Sequence, residues 1–313
     1  MEKDLLHIGS EALRKAALNE EAKRFILKND ALYNVLKKAA NRYIGGETLE
    51  ETLPKVQEHN KNGFACSIEF MGESTRTEKE STIACDEFIR ICQQIGNQKL
   101  HSAIGLDLSH IGLAVSTDLC FHNLTQICNK AAKHNIEVII GAEGPDRTDA
   151  IITMYKRISP VYPLAGITLQ AYLHRTADDF KDLIKEKGRI AMVKGAFQSL
   201  PGISLPRGEQ LDNVYLDYIY ELLAADHKCS IATHHHKIQQ QAKKLIFLHK
   251  PKKENYEFES LFGICNEQLL ALKNEGHPAK VYFVYGKEWH LYVCNRIAEY
   301  PLNLFQAVQD MVE

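Results

Sequence analysis

The stretch Lys280–Asn303, KVYFVYGKEWHLYVCNRIAEYPLN, decides how the chain is read. Val281 to Tyr285 is rich in β-branched and aromatic residues and reads as a strand. Gly286 breaks the run, and a helical stretch follows. Tyr292, Arg296 and Glu299 are spaced by four and then three, which puts them on one helix face. Arg296 offers a planar fork of donors suited to a carboxylate. Tyr292 offers a ring wall with a polar tip, and Glu299 a charge that can orient the arginine or take an ammonium. On spacing alone, a solvated face with one internal ion pair is the plainer reading.

Working outward, the strand-then-helix unit recurs from Phe64 onward. Strand-like runs fall at Ala65–Phe70, Ser102–Leu106, Glu137–Ala142, Gly166–Gln170, Ile190–Lys194, Ser230–Thr233, Tyr256–Leu261 and Val281–Val284, with helical stretches between them. Eight units in about 250 residues is the arithmetic of a closed (β/α)₈ barrel. A doubly wound open sheet usually carries a glycine-rich phosphate turn after an early strand. Here Gly72-Glu73-Ser74 follows the first strand and no GxGxxG occurs. The expected architecture is therefore α/β: an N-terminal helical segment (1–60) followed by a single (β/α)₈ barrel (61–313). The helical segment shows an apolar stripe, Phe25, Leu32, Leu36 and Tyr43, ended by Gly45-Gly46.

Composition bounds the function. The chain has 313 residues, 45% apolar and 25% charged, the mix of an ordinary globular protein. A net charge of -2 gives no global field toward nucleic acid or anionic lipid. No apolar run is long enough to span a bilayer, and the charged N-terminus does not read as a signal peptide. Eight cysteines without a CxxC pair fit free thiols in a reducing cytoplasm.

In a barrel, chemistry sits at the C-terminal strand ends. The residues there are Glu69 and Glu73, Asp107, Glu143, Gln170, Lys194, Thr233-His234, Leu261 and Tyr285. The His234-His235-His236 run invites a metal reading. Neighbouring residues diverge, however, and no second cluster has ligand spacing, so no metal is expected. Lys194 at a strand end would also suit a Schiff-base lyase, although no late phosphate-binding glycine loop accompanies it.

Six stretches resemble, in order, those of flavin-dependent proline dehydrogenases: EFMGES (69–74), LQAYLHRTADD (169–179), MVKGAF (192–197), IATHHHK (231–237), FESLFG (258–263) and the C-terminal Tyr292–Glu299 segment. The resemblance implies FAD at the barrel mouth. It assigns Gln170 to the isoalloxazine ring, Val193, Lys194, Gly195 and Ala196 to the run beside the cofactor, Thr233 and His234 to its ribityl–adenine part, and Leu261 to packing against it. It assigns Tyr292, Arg296 and Glu299 to the substrate, with Arg296 on its carboxylate.

Five departures fall in the same region. Asp107 stands where the family carries lysine, Gly141 where it carries aspartate, Ala191 where it carries arginine, Phe197 where it carries tyrosine, and Asn295 in place of the first of two arginines. Asp107 and Asn295 therefore join the expected substrate-site residues. The implied activity is FAD-dependent oxidation of the C–N bond of proline, or a related cyclic or secondary amino acid, to an imine. The alternatives are the same flavin barrel acting on another amine or modified amino acid, and a non-catalytic family member. A quinone or other acceptor would take the electrons. The expected location is the cytoplasm, with peripheral membrane contact for electron transfer.

Overall fold

The computed structural model describes residues 12, 15, 19–72, 74–195, 202–299 and 309–311. Eight parallel strands close into a barrel in chain order. They are β1 (Ala65–Phe70), β2 (Ser102–Leu106), β3 (Val138–Ile140), β4 (Ala165–Gln170), β5 (Ile190–Val193), β6 (Cys229–Ala232), β7 (Tyr256–Leu261) and β8 (Ala279–Tyr285). β8 returns to β1 with Phe70 opposite Tyr285. The closed barrel expected from the eight runs is the fold observed. The third run is shorter than its sequence suggests. Glu137 is turned into an internal ion pair, while Gly141 continues the pairing through one N–H···O bond to Leu106 (2.8 Å).

The helices are α1 (Glu20–Lys28), α2 (Asp30–Ala40), α3 (Leu49–Lys61), α4 (Glu78–Asn97), α5 (Thr117–Ala132), α6 (Thr148–Ile158), α7 (Thr176–Leu183), α8 (Glu209–Ala224), α9 (His236–His249), α10 (Asn266–Asn274) and α11 (Trp289–Glu299). Their starts are written locally. Thr77 and Glu80 form a reciprocal capping box on α4, Ser116 accepts the Asp118 and Leu119 N–H groups at α5, and Thr48 caps α3.

Side chains alternate across each strand. Ile68, Ile104, Ile140, Ile167, Ile190 and Ile231 are fully buried in the layer between strands and helices. The opposite face of the strands lines the lumen. Glu137 and Arg189 pair across the intervening β4, so both lie inside the barrel.

Two helices give the barrel its asymmetry. α3 packs against β1 and β8, with Leu49, Leu53 and Val56 in the main core. It occupies the flank that a helix following β8 would otherwise cover. α11 instead joins α2 in a second apolar cluster. Trp289, Val293 and Ile297 pack there with Ala39, Tyr43 and Ile44, and with Met71 and Val284 at the ends of β1 and β8. The last helix therefore lies at the C-terminal mouth of the barrel.

Candidate active site

The lumen floor is a buried ion network. Lys280 is held by Glu257 and by Glu259 (2.8 Å), and Arg189 by Glu137 (2.8 Å) and Glu257 (3.5 Å). Ser230 donates to Glu257 (2.5 Å). Burial raises Glu259, whereas Lys280 and Arg189 overcome burial to hold Glu257 at about 2. Lys280 is held above the ordinary lysine range by the same two carboxylates, against burial. Arg189 thus shares the lumen face of Ala191 but sits one layer deeper.

Above this floor the strand ends form a polar ring. Glu69 accepts from the Tyr282 hydroxyl. Glu143 is buried; it accepts the Ser109 N–H (2.9 Å) and pairs with Arg147 (2.6 Å), which also reaches Ser74 (2.8 Å). Gln170 is buried and donates through Nε2 to the Glu143 carbonyl (3.0 Å). Val193 and Leu261 are half-buried at the ends of β5 and β7. Thr233 Oγ1 accepts the His235 N–H (3.2 Å), and the Thr233 carbonyl accepts from Gln239 (2.8 Å). Tyr285 drops out of the ring: as an odd-parity residue of β8 it faces outward and donates to Glu87 of α4 (2.5 Å).

His234 Nε2 accepts the Leu261 N–H (3.0 Å), so its proton belongs on Nδ1. Burial, with a smaller contribution from Arg296, lowers its pKa to about 4 and keeps it neutral near pH 7. The three consecutive histidines diverge. His235 turns to Lys194 (3.0 Å), and His236 pairs with Gln240 (3.2 Å). Among the described residues no three His, Cys, Asp or Glu side chains converge as a metal site.

Lys194 leaves the lumen. Its ammonium lies 2.5 Å from Asp212 of α8, as befits a residue of opposite parity to Val193. Gly195 has φ +102, and a Cβ there would stand 2.2 Å from the Tyr172 ring, so only glycine fits. Arg207 donates to its carbonyl (2.8 Å). Ala196 and Phe197, the side chains of Asn295 and Glu299, and Glu73 lie outside the described residues.

From α11, the Arg296 guanidinium lies over the Tyr292 ring at 5.3 Å, and its charge acts on His234. The C-terminal helix and the end of β6, far apart in sequence, are thereby brought together. Asp107 lies across the barrel, where a Cβ on Gly141 would be 2.1 Å from its Oδ1. The sequence reading missed Ser109, Arg147 and Asp212, each of which holds a ring residue. Arg147 alone carried a signal, its four-residue spacing from Glu143.

Gly195 and the polar side chains of Gln170, Thr233 and His234 stand at the C-terminal ends of β5, β4 and β6 of a (β/α)₈ barrel, the end at which such barrels carry their chemistry. The proline dehydrogenase family model matches residues 52–293. Proline dehydrogenase 2 of Bacillus subtilis (strain 168) is 30% identical over 275 residues, covering 88% of this chain and 91% of that protein. Proline dehydrogenase of Deinococcus radiodurans is 27% identical over 279 residues, covering 88% and 90%. The chain belongs to the proline dehydrogenase family, whose members are in general flavin-dependent. Among solved structures, proline utilization A from Bdellovibrio bacteriovorus inactivated by N-propargylglycine superposes with a TM-score of 0.80 at 17% identity. It covers 96% of this chain, which spans only 37% of that protein, and it shows the shared barrel. No helix among the described residues is long and apolar enough to cross a membrane.

Proposed function

We propose that this barrel binds FAD across its mouth and oxidises a secondary amino acid of the proline type to the corresponding imine. Membership of the proline dehydrogenase family over residues 52–293 carries this reading. The residues present fit a flavin. Gln170, Thr233 and His234 supply an amide, a hydroxyl and a neutral imidazole at the ends of β4 and β6, on either side of β5. Gly195 lets the backbone approach closely, between Val193 and the Ala196 position. Leu261, its N–H fixed on His234, offers an apolar edge.

A bound flavin would supply the redox chemistry, taking the hydride from the carbon beside the substrate nitrogen while the N–H proton passes to solvent and C=N forms. The chain's residues orient the substrate. Arg296 takes the carboxylate and Tyr292 walls the ring. A quinone or other acceptor reoxidises the cofactor.

Titrating the apo-protein with FAD and following flavin fluorescence tests the placement. Saturable binding is expected in the wild type, and strongly weakened binding in Gln170→Ala/Thr233→Ala. No saturation, or identical binding by the variant, rejects it. A product lighter than its substrate by two hydrogens, seen by mass spectrometry, identifies the reaction.

A further inference from the structure

We propose that Arg207 binds the diphosphate of the flavin cofactor. This rests on the flavin reading above and deepens it.

Three pieces of backbone meet where β5 leaves the barrel. Tyr172 donates its N–H to the Lys194 carbonyl (3.0 Å) and accepts the Leu205 N–H on its own carbonyl (2.7 Å). His174 donates to the Ile203 carbonyl (3.1 Å), and Leu173 and Ser204 form an antiparallel bridge. The chain over 203–205 thus lies along the loop after β4, two residues short of Arg207. Pro206, with its fixed φ, stiffens the step between them. The backbone that carries Arg207 is therefore tied to the barrel before α8 begins at Glu209.

The Arg207 side chain turns back to the end of β5. Its Nη2 donates to the Gly195 carbonyl (2.8 Å), so the guanidinium stands at the turn whose α-carbon is seated on the Tyr172 ring. Cations at the neighbouring strand ends are matched by acids. Lys194 has Asp212 (2.5 Å), Arg147 has Glu143 (2.6 Å), and Arg175 has Asp149 (2.6 Å) and Asp179 (2.7 Å). Arg207 pairs with no carboxylate among the described residues, and the Gly195 carbonyl engages its Nη2 alone. The residue is exposed, so the rest of its planar fork of five donors is open to a ligand.

A guanidinium fixed at one corner, with its charge unmatched by an acid, suits a phosphate oxygen pair. Under the flavin reading the cofactor runs beside Val193, Gly195 and the Ala196 position. The oxidised ring system carries no anionic group, whereas the diphosphate carries two negative charges near pH 7. The substrate carboxylate is assigned to Arg296, on the helix that follows β8. The anion that falls to Arg207 is therefore the diphosphate.

Riboflavin, FMN and FAD present no, one and two phosphates on the same ring, which separates charge recognition from ring recognition. Fluorescence titration of the apo-protein with each, in the wild type and in Arg207→Gln, tests the assignment. Arg207→Gln is expected to weaken FAD binding by about tenfold, the worth of one charged hydrogen bond, and to leave riboflavin affinity within about twofold. Arg207→Lys, which keeps the charge and loses the fork, should recover part of the loss. FAD affinity should also fall more steeply with salt in the wild type than in Arg207→Gln, because screening removes the same contact. That slope decides the question where riboflavin binds too weakly to measure. FAD affinity within about twofold of the wild type in Arg207→Gln overturns the inference and leaves the flavin reading intact. Equal losses for riboflavin and FAD, or equal salt slopes, overturn it as well, since they mark a role in shaping the Gly195 turn. Failure of the wild type to bind any of the three removes the flavin reading and this assignment together.

Discussion

The charge of Arg296 is felt at His234 although 62 positions separate their numbers. The neutral imidazole keeps a second positive charge away from the guanidinium, which under the proposed function holds the substrate carboxylate. Arg296→Met should lower kcat/KM by about tenfold to a hundredfold, the worth of a charged hydrogen bond of roughly 1.5–3 kcal/mol, while FAD affinity stays unchanged. Steady-state kinetics beside a flavin titration checks this, and unchanged kinetics refutes it. His234 also makes stability depend on pH. Its folded pKa of about 4 lies below the unfolded value of 6.5, so the unfolded chain takes the proton first. Its contribution is constant above pH 6.5 and is lost as pH falls toward 4. His110, likewise lowered to about 4 by burial, acts in the same direction. Thermal melts from pH 7.5 to 4.5 should show a declining Tm, with a shallower decline in His234→Gln. An equally steep decline would mean that His234 is not the neutral, buried group described. The motif supplied His234 and Arg296 as separate candidates; their proximity was not legible, because it depends on where α11 lies.

At the scale of elements, two constructions hold the site. The first is the lumen network on β7 and β8. Glu257, Glu259 and Lys280 alternate along their strands like any half-exposed polar face, so nothing in the sequence marks them as internal. Closure of the barrel turns that face inward, and burial forces the charges to pair. Lys280→Met should cost about 3–5 kcal/mol, because it leaves Glu257 and Glu259 without their shared cation. Urea unfolding reads that cost directly, and a loss below about 1 kcal/mol would show that the network is not needed for stability. The second is the seat of α11. Trp289 Nε1 donates to Glu47 (3.1 Å) and to the Tyr33 hydroxyl (3.2 Å), and Lys37 pairs with Glu47 (2.6 Å). These ties run from the N-terminal helices to the helix that carries Arg296. Glu47→Gln should therefore raise KM several-fold with little change in FAD affinity. An effect on FAD alone would place the role of Glu47 elsewhere.

For the molecule as a whole, the barrel was legible because its signal is redundant. Eight strand-like runs each stop at turn residues, and a boundary error of one or two residues at β3 or β8 leaves the count intact. The exchange of flanks between α3 and α11 was not legible. Both are ordinary amphipathic helices, and only the apolar cluster around Met71, Val284 and Trp289 shows which one covers the mouth. The departures at Asp107, Gly141 and Ala191 were visible one by one as substitutions. That Asp107 fills the space left by Gly141 is a fact of three dimensions.

Anaerobic mixing of the FAD-loaded protein with a panel of secondary amino acids, followed at the oxidised flavin's visible absorbance, tests the central claim most directly. Bleaching by at least one proline-type amino acid, with the matching imine formed in equal amount to the flavin reduced, is the expected result. A fully loaded flavin that no member of the panel bleaches would contradict it.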